Sequence, residues 1–172
     1  MTGTARKIVM VGDPVLRRAS RPVTAFDDSL AALIEDMFAS MRAADGVGLA
    51  APQLGVDLAV FVYDCLDGDD RQCVGHVVNP HVVQASGPID PGDEGCLSVP
   101  GPFASLPRPS RVTVVGTDRV GAPLSVNGTG LLARCLLHET DHLRGALYID
   151  HLSWRRRRRA LREMVPAEWS AS

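Results

Sequence analysis

The sequence predicts an α+β fold, and three observations carry that expectation. An apolar stripe at helical spacing lies near the N-terminus, β-branched runs separated by turn-forming residues fill the middle, and a second helical pattern follows late in the chain. The first stripe is Leu30, Leu33, Ile34, Met37, Phe38 and Met41, which share one face of a helix over Ser29 to Ala44. Asp27, Asp28 or Ser29 can cap its start, because a short side-chain oxygen satisfies free backbone N–H groups, and Asp45-Gly46 ends it. Leu58 to Asp64 is β-branched and aromatic, and the polar segment Asp67 to Gln72 joins it to a second strand, Val74 to Val83, as a hairpin. Ser86 to Gly95, rich in Gly, Pro and acid, and Pro100 to Pro109, with four prolines, are expected to be irregular connections. Arg111 to Asp118 reads as a strand. From Thr129 the pattern is helical until Arg144-Gly145, and a last helix is expected from Ser153 to Val165, before Pro166.

At 172 residues, 45% hydrophobic and 22% charged, the chain can bury one core and is expected to form one domain over residues 1–172. No apolar run approaches the ~18 residues that cross a bilayer, so no membrane-spanning role is expected. The apolar patch Ile8 to Val11 is shorter than the ~7–15 residues of a signal peptide's core, which favours a cytoplasmic location. The net charge of −2 is uneven: residues 151–172 hold six Arg against Glu163 and Glu168, and the first 150 residues are acidic. An acidic body argues against a dedicated nucleic-acid binder, while the tail keeps a local anionic contact open. The four cysteines, Cys65, Cys73, Cys96 and Cys135, include no CxxC pair and are expected to be reduced. Cys65 and Cys73 flank the hairpin loop and could face each other across it.

The strongest chemical signal is His138-Glu139-Thr140-Asp141-His142, an H-E-x-x-H on a predicted helix. Histidines four apart lie on one face, so two imidazoles can hold one metal ion while Glu139 sits beside it to handle a proton. A solvated polar helix face is the bland alternative. A catalytic centre of this type needs a third protein ligand and one open position. Cys135 shares the helical face, but a metal held by His138 and His142 would lie roughly 7–8 Å along the axis from it, at ~1.5 Å per residue. It is expected to be a pocket or core residue. Cys96, in Glu94-Gly95-Cys96-Leu97-Ser98, is open between third ligand and buried small hydrophobe. Gly46 to Gln53 packs two glycines and two alanines after a helix, where a chain can approach closely, and Gln53 offers a donor that does not titrate; a glycine-rich helix stop explains much of the same pattern.

Together and in this order, Gly46 to Gln53, Glu94 to Ser98 and His138 to His142 resemble the three signature motifs of the peptide deformylases, and the order of elements around them extends the resemblance over about residues 5–165. It implies antiparallel β-sheets packed around a central helix that carries the metal motif, with an N-terminal amphipathic helix and a C-terminal helix. It implies that Cys96, His138 and His142 bind one divalent metal, usually Fe²⁺, with water in the fourth place; Zn²⁺, Ni²⁺ and Co²⁺ accept the same ligands. Glu139 would then be general base and acid, with the oxyanion held by the metal, the Gln53 amide and the Leu97 backbone N–H. The implied substrates are nascent N-formylmethionyl polypeptides, and the products formate and a free amino terminus. Val47, Leu131 and Cys135 would receive the methionine side chain, with His138 at its base, while Gly46, Gly48 and Gly95 let an extended peptide lie alongside.

Phe103 departs from the Arg or Tyr that many members carry, and Arg134 is expected at solvent or at the pocket rim. The run Arg155 to Arg159 is by default a solvated helix face; the resemblance adds a ribosome contact through this basic helix. Two other functional classes compete: a zinc peptidase that cuts internal amide bonds and uses a third ligand other than Cys96, and a metal-free scaffold.

Overall fold

The computed structural model describes residues 3–167; Glu168, counted in the tail charge, lies outside them. Helix α1 (Asp28–Ala43) begins where the Asp27 carboxylate accepts hydrogen bonds from the Ser29 and Leu30 N–H groups at 3.0 and 3.2 Å. Five strands follow, β1 (Gly48–Ala50), β2 (Val60–Leu66), β3 (Gln72–Cys96), β4 (Val99–Thr117) and β5 (Pro123–Thr129), and then α2 (Gly130–Leu143) and α3 (Trp154–Arg162). All strands are antiparallel and form one five-stranded sheet in the order β1-β2-β3-β4-β5, a single sheet where several were expected.

Alternation along β2 divides the core. Val60 and Val62 face α1 and pack with Leu30, Ile34, Met37 and Met41. Phe61, Tyr63 and Cys65 face the other way and pack with Val112, Val114 and, from α2, Leu132, Cys135 and Leu136. β2 is therefore buried on both sides, which explains its continuous apolar run. Ile34 is 1% exposed. Ile34→Val is expected to lower the unfolding free energy by ~0.5–1.5 kcal/mol in urea titration, because it removes one methylene from a packed site. A third cluster, with Val99, Leu106, Leu147, Tyr148 and Ile149, closes around Cys96.

The structure corrects the expected loops. Ser86 to Gly95 and Pro100 to Pro109 are not irregular but belong to β3 and β4, where Ile89 pairs with Pro109 and Pro91 with Pro107. Beyond Val78, β3 leaves β2, and before Arg111, β4 has not yet met β5, so this stretch is a two-stranded ribbon in which each strand pairs with another strand on one edge only. Proline lacks a donor, and an unpaired outer edge asks for none. Register shifts between Ser86 and Ile89 and between Glu94 and Cys96 absorb the irregular sequence. Strands β1 and β5 lie where the sequence predicts none. The last helix is shorter than expected, stopping at Arg162.

Candidate metal centre

Helix α2 carries His138, Glu139 and His142, with the two imidazole rings 5.0 Å apart between centroids. Its end is fixed by Gly145, at φ +77, where an added Cβ would lie 2.8 Å from the Arg17 backbone. Cys96 arrives from the end of β3, at the tight turn that pairs Cys96 with Val99. Ligand atoms of Cys96, His138 and His142 lie within 4.8 Å of one another, and Cys96 Sγ is 3.3 Å from His142 Nε2. Gln53 stands in the turn Ala51–Leu54, its Oε1 accepting from the Ala50 N–H at 2.9 Å and its Nε2 lying 3.7 Å from Cys96 Sγ and 3.3 Å from Ser98 Oγ.

A cleft of about 410 Å³ opens above these groups. Gly46, Val47, Gly48, Gln53, Gly95, Cys96, Leu97, Leu131, Cys135, His138 and Glu139 all line it, whereas His142, 1% exposed, lies deeper. Val47 and Leu131 are 43% and 45% exposed and sit at its rim. Phe103 lines the mouth, exposed.

A network around Glu94, the first residue of the second motif, holds the site from behind. His138 Nδ1 lies 3.0 Å from Glu94 Oε2; Arg108 donates to both oxygens of Glu94 at 2.7 and 3.0 Å, and Arg134 to its Oε1 at 3.1 Å. Of the two places expected for Arg134, solvent and the pocket rim, the structure gives the second: it lines the cleft, is 8% exposed and also donates to the carbonyls of Leu106 and Asp90. Arg108 reaches Asp141 at 2.9 Å, and Asp141 meets His151 at 2.9 Å. Tyr148 stacks on His138 at 6.3 Å and donates to the Pro102 carbonyl. Burial works against the Glu94 charge, but hydrogen bonds from His138 and Arg108 outweigh it and hold the carboxyl at about 2.

Burial dominates at Glu139 and pushes its carboxyl up to about 7; its Oε2 is buried with no hydrogen-bond partner among the described residues. Burial keeps His142 neutral, well below its ordinary value. At His138, burial is overcome by hydrogen bonds to Cys96 and Glu94, which draw positive charge onto the ring. The same sulfur and carboxylate that draw a proton onto His138 favour a metal cation in that proton's place, and a sulfur with two neutral imidazoles, one ring oriented from outside by Glu94, fits a divalent metal of borderline softness.

An α+β scaffold with a buried Cys-His-His cluster, a neighbouring carboxyl that exchanges protons near neutrality and a cleft above them defines the class of metal-dependent hydrolases. Residues 5–158 match the sequence profile of the family described as polypeptide deformylase. The chain is 53% identical over 169 residues to peptide deformylase 1 of Streptomyces avermitilis, covering 96% of this chain and 78% of that protein. It is 49% identical to peptide deformylase 2 of Streptomyces coelicolor, covering 97% and 93%. A crystal structure of a peptide deformylase from Legionella pneumophila superposes with a TM-score of 0.86 at 45% identity, covering 93% of each chain. One from Ehrlichia chaffeensis in complex with actinonin gives 0.86 at 36% identity, covering 92% and 95%. The chain belongs to the polypeptide deformylase family.

Proposed function

We propose that this chain removes the N-formyl group from the N-terminal formylmethionine of newly made polypeptides, releasing formate. The convergence of Cys96, His138 and His142 beside Glu139 carries the proposal, and family membership agrees with it. Cys96, His138 and His142 hold the ion, Fe²⁺ by preference, with Zn²⁺, Ni²⁺ and Co²⁺ accepted by the same donors. Bound there, a divalent ion supplies Lewis acidity and a nucleophilic water at neutral pH. Glu139 takes the proton of the attacking water on its unpartnered oxygen and returns it to the leaving amine, a role suited to a carboxyl held at about 7. The Gln53 amide, whose contacts to Cys96 and Ser98 are long, turns to the formyl oxygen as negative charge develops, together with the Leu97 N–H.

Val47, Leu131 and Cys135 receive the methionine side chain, an apolar surface that needs no fixed partner. Gly46, Gly48 and Gly95 admit an extended backbone, which gives affinity independent of sequence. Gly48 has a second duty: an added Cβ would meet Glu139 Oε1 at 2.5 Å and Cys135 Sγ at 2.7 Å. Gly48→Ala is expected to lower kcat/KM by about 10²-fold with an unchanged far-ultraviolet circular dichroism spectrum, because it displaces the proton carrier.

No helix among the described residues is long and apolar enough to cross a membrane, and a cytoplasmic site of action suits nascent chains. Residues 154–159 of α3 are all exposed, with Arg155 over the Trp154 ring and Arg159 paired with Glu163. This basic face docks on ribosomal phosphates. Co-sedimentation with ribosomes is expected to fall steeply with salt and to weaken in the double substitution Arg155→Ala, Arg158→Ala; equal pelleting of the variant would exclude the contact. The activity itself is tested by formate release. Metal-loaded enzyme is expected to release formate from a formyl-methionyl tripeptide and to leave unformylated peptides intact, whereas internal cleavage without formate would establish a peptidase instead.

A further inference from the structure

The hairpin between β3 and β4 that delivers Cys96 also forms one lip of the cleft. Its ladder pairs Cys96 with Val99 and Glu94 with Ala104, so Pro100, Gly101, Pro102 and Phe103 stand opposite Gly95 alone. Regular pairing therefore does not set the course of the lip, and two of its residues are prolines with no N–H to give. Contacts from the C-terminal part of the chain hold it instead. The Val165 N–H donates to the Pro100 carbonyl at 3.1 Å, and the Tyr148 hydroxyl donates to the Pro102 carbonyl at 2.9 Å in the interior. Tyr148 is 1% exposed, and its ring lies 6.3 Å from that of His138 at an interplanar angle of 26°. One step along the lip, Phe103 is 73% exposed, and its ring so covers Gly95 that an added Cβ there would lie 2.6 Å from Phe103 Cε1.

We propose that Tyr148 is a positioning residue for the stretch of substrate that follows methionine. Its hydroxyl fixes Pro102, Pro102 fixes Phe103 over Gly95, and that pair borders the path assigned to the extended peptide. The body of the side chain is held independently, because the ring shares a buried cluster with Val99, Leu106 and Ile149 and stacks on His138. Phenylalanine at this position keeps the ring and its stacking, leaves the carbonyl of the buried Pro102 without its donor, and frees the lip to move. The methionine side chain is assigned to other walls, Val47, Leu131 and Cys135, so the loss falls on the residues after it. This consequence for the substrate rests on the deformylase reading; the fixing of the lip does not.

The test compares Ni²⁺-loaded parent, Tyr148→Phe, Phe103→Ala and the double variant on a formyl-methionyl tripeptide and on formylmethionine amide, which ends before the lip. Tyr148→Phe is expected to keep its metal and to raise KM for the tripeptide about 3–10-fold, the effect of one lost hydrogen bond, with kcat changed less than KM. KM for the amide is expected to change by less than about twofold, since that substrate has nothing for the lip to hold. Phe103→Ala is expected to give the same split, and the double substitution no further loss, because both act through one contact. Equal KM changes for the two substrates, or additive losses in the double variant, would overturn the assignment. Amide hydrogen exchange of residues 101–104 reads the lip without turnover and is expected to quicken in Tyr148→Phe; unchanged exchange would overturn the positioning. Quickened exchange in a protein whose parent releases no formate would count against the proposed function and not against the hold of Tyr148 on the lip.

Discussion

Glu139→Gln is expected to retain its metal and to lose about 10²–10⁴-fold in kcat, the range associated with removing a positioned acid–base group. Glutamine matches the shape of glutamate but neither accepts nor returns a proton under these conditions. Glu139 is 4% exposed, so the substitution adds no new exposed surface and removes a carboxyl whose ionisation burial already opposes. Stability should therefore change little, and KM should move less than kcat. Metal content measured beside formate release checks this: a variant with full metal and near-parental turnover would take the proton transfer away from Glu139.

Glu94→Ala is expected to produce the largest loss of stability, about 3–5 kcal/mol, the cost of leaving buried charge without its partner. Glu94 is 4% exposed and is the shared acceptor for Arg108 and Arg134, themselves 9% and 8% exposed. Asp141 still meets Arg108 in the variant, but Arg134 keeps only two backbone carbonyls. The same change frees His138 Nδ1, so metal affinity should fall by about 10–100-fold. Urea unfolding with metal chelated isolates the first effect, and metal titration of the folded variant reads the second. A loss below about 1 kcal/mol would mean that water reaches the arginines and that the network is not closed.

Much of this was legible where a pattern is local. The α1 stripe from Leu30 to Met41 and the H-E-x-x-H spacing both repeat within a turn or two, so a helix and a shared face follow from neighbours in sequence. The hairpin spacing lets Cys65 and Cys73 face each other, and they are direct partners. Prolines mislead: Pro91, Pro107 and Pro109 mark loops in most chains, yet here they lie on a ribbon whose outer edges no further strand adjoins. β1 is too short to show alternation, and its glycine and alanine read equally as part of a helix stop. At the site, the motifs named residues, Glu94 among them, but not the partners that gather on Glu94. Glu94, Arg108, Arg134 and Tyr148 meet from distant parts of the chain, and no spacing announces such a network. Arg134 shows why: its place on α2 fits solvent or the pocket rim equally well, and only Glu94, 40 residues away, holds it buried in the cleft wall.

Metal per chain in anaerobically purified parent and Cys96→Ala, measured with formate release in the same samples, bears most directly on the centre. The parent is expected to carry about one divalent ion per chain and to deformylate, and Cys96→Ala to lose most of both, since two imidazoles alone leave the ion one protein ligand short. A Cys96→Ala protein that keeps a full complement of metal and full turnover would contradict the assignment of Cys96, His138 and His142 as the catalytic ligand set.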